Sequence, residues 1–206
     1  MPPTVKTARR RKKNPGGGSA KARRRAARLA AVQALYQIDL AGASFESVLA
    51  EFIKHRLGHE VDGISYVAAD PVLFASIVRG TGARLADIDS MASAALDARM
   101  TLGRVDLLLR ATLRAGTWEL LANPETPAPI ILAEYIEVAK AFYAAPVPGV
   151  INAVLDTLAR RLRPNEVNVS AHPAEAEAEA EAEAEAEAEA EASPEDADTE
   201  IPVEHP

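Results

Sequence analysis

Four cations are spaced to share one face of a helix. Lys21, Arg24, Arg25 and Arg28 stand at i, i+3, i+4 and i+7. Ammonium and guanidinium groups in that register suit a row of phosphate oxygens. They fall at the start of the helix they predict, where the macrodipole disfavours each cation by about 0.3–1 kcal/mol. Such a cost points to an external polyanion, and a nucleic-acid backbone is the expected one. Arg23 lies off this stripe and reads as solvated. Gln33, further along the same helix, either reads a base edge or sits in solvent. Tyr36 is expected to pack its ring inward with the hydroxyl at the surface, where it is a candidate partner contact. Arg110 and Arg114 are spaced i, i+4. They either extend the basic surface or pair with Asp106 or Glu119, and Arg110 is a second candidate partner contact.

Other chemistries find no support. The chain has no cysteine, which removes disulfides, thiolate nucleophiles and cysteine-type zinc sites and fits a reducing compartment. His55 and His59 have a metal-compatible i, i+4 spacing, but Gly58 lies between them, so they read as a solvated helix end and no metal is expected. There is no phosphate-binding GxxxxGK[ST] loop, no GxGxxG after a strand and no GxSxG elbow. No cofactor and no catalytic residue is expected. The function classes left are binding and assembly.

The elements that must position these residues read as helices almost throughout. Ser19 is the expected N-cap of the first helix, which runs from a cationic start into an apolar face of Leu29, Val32, Tyr36 and Leu40. Ser44 caps a helix over 45–57. Residues 58–67 read as a loop. Asp70-Pro71 opens another helix, since Pro is tolerated at the first helical position. Further helices are expected over 83–98, over 102–121 before Asn123-Pro124, and from Thr126-Pro127 to about 142. Pro146 and Pro148 precede a last helix, in which Val150, Val154, Leu158 and Leu162 repeat by four until Pro164 stops it. Trp118 is expected in the core. Glu137 and Lys140 form an i, i+3 pair worth a few tenths of a kcal/mol. The class is all-α, about seven helices around one core.

Charge divides the chain further. The formal net charge is −7, yet residues 1–28 carry eleven Lys/Arg and no acid, and residues 164–206 carry fifteen Asp/Glu and no Lys/Arg. A polyanion site survives an acidic overall balance, because binding follows local charge. Residues 1–18, closing on Asn14-Pro15-Gly16-Gly17-Gly18, read as a disordered basic arm. Residues 19–166 read as the folded domain. Residues 167–206 read as a disordered acidic tail, since alternating Ala and Glu sets Glu against Glu at i, i+4. The tail either competes with RNA for the basic end at low salt or serves solubility. No apolar run approaches the roughly 20 residues that cross a bilayer, and cytoplasm is the expected compartment.

Several stretches together resemble the NusB family of bacterial transcription antitermination factors. Arg24-Arg25, Ala27-Arg28 and Ala31-Val32-Gln33-Ala34-Leu35-Tyr36 resemble its opening helix. Arg104-Val105-Asp106 leading to Arg110-Ala111-Thr112-Leu113-Arg114, then Trp118-Glu119-Leu120, resemble its fifth. Pro127 with Glu134, Ile136-Glu137, Ala139 and Lys140 resembles a segment written P…INEAIELAK, and Ile151-Asn152 with Val154-Leu155-Asp156 resembles FVNGVLD. Arg163-Pro164-Asn165 is similar to a common terminus. Leu29, Ala133, Val150 and Ala153 depart from the usual Glu, Asn, Phe and Gly, and Val150 removes an aromatic near the family's RNA surface.

The resemblance covers about residues 20–166. It implies two small helical bundles packed together. It also implies a non-enzymatic factor that binds boxA single-stranded RNA of ribosomal RNA operon leaders together with the ribosomal protein NusE, within an RNA polymerase antitermination complex. Homodimers occur in the family. On that reading Lys21, Arg24, Arg25, Arg28, Gln33 and Arg114 contact RNA. Two alternatives stay open: an RNA-binding domain that serves an rRNA methyltransferase in trans, and an interaction adaptor without RNA.

Overall fold

A computed structural model describes residues 18–167, apart from 59, 62–63 and 66. The basic arm before Gly18 and the acidic tail after Val167 lie outside the described residues, as does His59.

Side-chain caps set four of the eight helix starts among the described residues. Ser19 accepts a hydrogen bond from the Ala22 N–H at 3.2 Å and opens α1, Ala20–Ala41. Gly42 ends α1 in the left-handed region, at φ 61°, which favours glycine. Ser44 accepts from the Ser47 N–H and opens α2, Phe45–His55. Within the expected loop the backbone forms a minimal hairpin, β1 (Glu60–Val61) antiparallel to β2 (Ile64–Ser65). Asp70 accepts from the Val72 and Leu73 N–H groups and opens α3, Pro71–Ala83. Then come α4, Leu85–Ala95, and α5, Leu107–Ala122. The last three are α6, Ala128–Lys140, α7, Val147–Leu162, and α8, Pro164–Val167.

Two boundaries differ from expectation for local reasons. α5 starts at Leu107, because Asp106 accepts from the Leu108 and Leu109 N–H groups and caps there; residues 101–105 form turns instead. α7 starts at Val147 and takes Pro148 into its first turn, where a missing N–H costs nothing.

The helices form two groups that share one core. α1, α2 and α3 pack together, with the Phe52 and Phe74 rings stacked at 5.7 Å. α4, α6 and α7 surround α5, and α1 and α3 lie against α5 to join the groups. Leu35, Ile77, Leu113, Ile131, Tyr135 and Leu155 are fully or almost fully buried between them. Close approach at the junction depends on Gly80, where a Cβ would fall 2.0 Å from the Trp118 ring. Trp118, expected in the core, is half-buried and packs against it from the side.

The core face of α1 is not the expected one. Val32 is buried, but Leu29 and Tyr36 are half-buried and Leu40 is 61% exposed. The buried side consists of Ala27, Ala31, Ala34, Leu35 and Ile38, together with Arg28. Small alanines let α1 come close to α3 and α5, so its larger apolar side chains are left on the outer face.

Candidate nucleic-acid interface

The cations on α1 share a register but not an environment. Lys21, Arg23 and Arg24 are exposed on the first turns, and among the described residues no hydrogen bond or ion pair occupies their side chains. The position of α1 is fixed there by its own backbone, since the Arg23 carbonyl accepts from the Asp70 N–H at 3.0 Å. The start of α3 is thereby tied to the start of α1.

Arg25 is half held. Its side chain is 43% exposed, while Nε and Nη2 donate to the two oxygens of Glu134 at 2.9 and 2.8 Å. Glu134 is itself buried. Burial alone would push its carboxyl up, but the Arg25 hydrogen bonds and the nearby charges of Arg25 and Arg28 hold it below the usual glutamate range.

Arg28 is not at the surface, and its assignment as a phosphate contact is corrected by the structure. It is 2% exposed. Nε and Nη2 donate to Glu119 at 2.8 and 2.9 Å, and Nη1 lies 3.7 Å from Glu134. Burial works against its charge, but the bonds to Glu119 more than offset that and raise its pKa further. Tyr135 donates its buried hydroxyl to the same Glu119 at 2.9 Å, and burial followed by that carboxylate's charge keeps the phenol protonated.

Arg114 is corrected on the same ground. It is 7% exposed. Nε and Nη2 donate to Asp89 at 2.6 and 2.7 Å, and Nη1 donates to Asp39 at 2.8 and 2.7 Å. Arg110 donates to Asp39 at 2.8 Å. Both arginines therefore pair, with Asp39 and Asp89 rather than with Asp106 or Glu119. They tie α5 to α1 and α4 and leave little charge for an external partner.

Gln33 is exposed but stands apart from the cationic end. Nine residues from Arg24 is about 14 Å along the axis and half a turn around it. It belongs to the outer face of α1 with Tyr36 and Leu40. Glu137 and Lys140 form the expected ion pair at 2.6 Å.

A cleft opens beside Arg24. About 390 Å³ in volume, it is lined by Arg24, by Asp70, Val72, Leu73 and Ser76 of the α3 start, and by residues 122–126. Its far wall is rigid. Arg163 donates four hydrogen bonds, of 2.6 to 2.9 Å, to the carbonyls of Glu119, Leu120, Asn123 and Thr126. Those bonds tie the last turn of α5 to the segment that follows it, and the one to Leu120 satisfies a terminal carbonyl.

Sequence reasoning missed Glu119, Glu134, Asp39 and Asp89 as the partners of these arginines. A signal existed for the first: Glu119 interrupts an otherwise apolar run in α5, and a lone carboxylate on a buried face needs a cation. The cleft left no signal, because it is made by three segments distant in sequence.

Among the described residues no cluster of metal-ligating side chains occurs, and no helix is long and apolar enough to cross a membrane. A helical body with a cationic helix start is the build of a binding protein. Comparison with known proteins agrees. Residues 25–160 match the NusB family. The transcription antitermination protein NusB of Agrobacterium fabrum (strain C58) is 48% identical over 138 residues, covering 67% of this chain and 84% of that one. Its counterpart from Brucella ovis is 50% identical over 137 residues, 66% and 80% of the two chains. Among solved structures, T. maritima NusB superposes with a TM-score of 0.56 at 27% identity, over 66% of this chain and 90% of its own. A structure of antitermination factors NusB and NusE in complex with dsRNA has the same fold, with a TM-score of 0.56 at 19% identity over 67% and 96%. The chain belongs to the NusB family, and with it to the transcription antitermination proteins, which are not enzymes.

Proposed function

We propose that this protein binds boxA single-stranded RNA of ribosomal RNA operon leaders, together with the ribosomal protein NusE, and joins the RNA polymerase antitermination complex in the cytoplasm. The observation that carries the reading is the group Lys21, Arg23 and Arg24, three exposed cations on the first turns of α1 whose side chains no ion pair or hydrogen bond engages among the described residues. Arg25 adds its free edge. Phosphates along that end would repay the cost of cations at a helix N-terminus.

The protein partner fits elsewhere on α1. Its outer face presents Gln33, half-buried Tyr36 and the 61% exposed Leu40, a mixed apolar and polar surface of the kind that interfaces use. A structure of related factors holds NusB and NusE in complex with dsRNA, which supports a protein partner beside RNA. Arg110 contributes by holding Asp39, and Tyr36 is the contact on this reading.

The test is a titration of labelled boxA RNA and a scrambled RNA of equal length, with and without NusE. Preferential binding of boxA that tightens with NusE supports the reading. Equal binding of both RNAs, unaffected by NusE, contradicts it.

A further inference from the structure

We propose that the cleft beside Arg24 is a base pocket that accepts one unstacked nucleotide of the bound RNA and favours a base with an exocyclic amino group over uracil. The inference rests on the RNA-binding reading above and specifies what one part of that site selects.

Place and size come first. Arg24 belongs both to the cationic end of α1 and to the wall of the cleft, so a strand whose phosphates follow that end passes the cleft mouth. The volume of about 390 Å³ is that of a small ligand site.

Charge decides which part of a nucleotide enters. Beyond Arg24 the cleft holds two carboxylates, Asp70 and Glu125. They repel a phosphate, so the backbone stays outside on Arg24 and the uncharged base turns inward. The apolar contact a base face needs is present in Val72, which is 77% exposed, and in Pro124.

Hydrogen bonding decides which base. One oxygen of Asp70 is taken by the Val72 and Leu73 N–H groups. Among the described residues Glu125 has no such commitment, and the Ser76 hydroxyl has no hydrogen-bond partner. A carboxylate only accepts, so it pairs with the exocyclic amino group of cytosine, adenine or guanine, and it faces the O4 acceptor of uracil unfavourably. Uracil and cytosine are near-isosteric and differ in the group at position 4 and in the proton that N3 carries in uracil alone.

The experiment uses the full chain and uridine 12-mers in which a single cytidine is moved along the strand, measured by fluorescence anisotropy in constant salt. The pocket predicts that cytidine at one register tightens binding about tenfold over all-uridine. Glu125→Ala should erase that preference without weakening all-uridine binding, because it removes the carboxylate that faces uracil O4, and should leave the melting temperature in place. Arg24→Ala should weaken every oligomer alike. Binding of all oligomers with no cytidine preference at any register, or a preference that survives Glu125→Ala, overturns the pocket and leaves RNA binding standing. Failure of every oligomer to bind, even at low salt, overturns both.

Discussion

Arg28 and Glu119 meet edge to edge inside the protein, with bonds of 2.8 and 2.9 Å and side chains only 3% and 1% exposed. The contact joins α1 to α5 and carries Tyr135 and, more distantly, Glu134 with it. It separates the four-cation stripe by depth. Lys21 and Arg24 face solvent, Arg25 spans the boundary, and Arg28 holds the domain together.

Replacing Arg28 with Ala should therefore destabilise the fold, because it leaves a buried carboxylate without its cation. Losses for a broken buried pair are about 3–5 kcal/mol, which in a domain of this size lowers the melting temperature by on the order of 10 °C. Arg28→Lys should restore little, since a single ammonium cannot make the bidentate contact. Arg24→Ala should change stability by no more than about 0.5 kcal/mol. Thermal melts of the three variants check this; a mild Arg28→Ala would contradict the buried pair.

Gly80 makes a packing prediction. A methyl group there meets the Trp118 ring at 2.0 Å, so Gly80→Ala must push α3 away from α5. The expected cost is about 1–3 kcal/mol. Combining it with Trp118→Phe should recover part of the loss, because the smaller ring vacates the position. Urea titrations of the single and double variants measure the coupling, and strict additivity would show that the two sites do not touch.

Acid should weaken the protein through Glu134. Its folded pKa lies below the ordinary value of about 4.3. A depressed carboxylate adds stability that is complete above the unfolded pKa and is lost as pH falls through the folded one. Stability should hold from neutral pH to about pH 5 and then decline. In Glu134→Gln the acid decline should be shallower, and neutral stability lower. An acid profile identical in the two proteins would remove Glu134 from the account.

Much of this was legible in the sequence because it is local. Ser19, Ser44 and Asp70 mark their helix starts by their own side chains, and each caps as read. Depth was not legible. Leu29, Tyr36 and Leu40 repeat at helical spacing as well as Ala27, Ala31 and Ala34 do, and periodicity alone does not say that close packing selects the alanines. Arg28 and Arg114 carry the same charge as Arg24, and only the tertiary arrangement supplies Glu119, Asp39 and Asp89. Pro148 suggested a break and instead entered a first turn, a position where proline is tolerated.

The central claim, that the exposed start of α1 takes RNA phosphates, is tested most directly by the salt dependence of RNA binding. The comparison is wild type against Lys21→Ala/Arg23→Ala/Arg24→Ala with single-stranded boxA RNA. Each lost phosphate contact removes about 0.7 from the slope of log affinity on log salt. The account predicts a slope shallower by roughly two units, weaker binding at low salt, and an unchanged melting temperature. An unaltered slope and affinity in the triple variant would contradict it and place the RNA on another face.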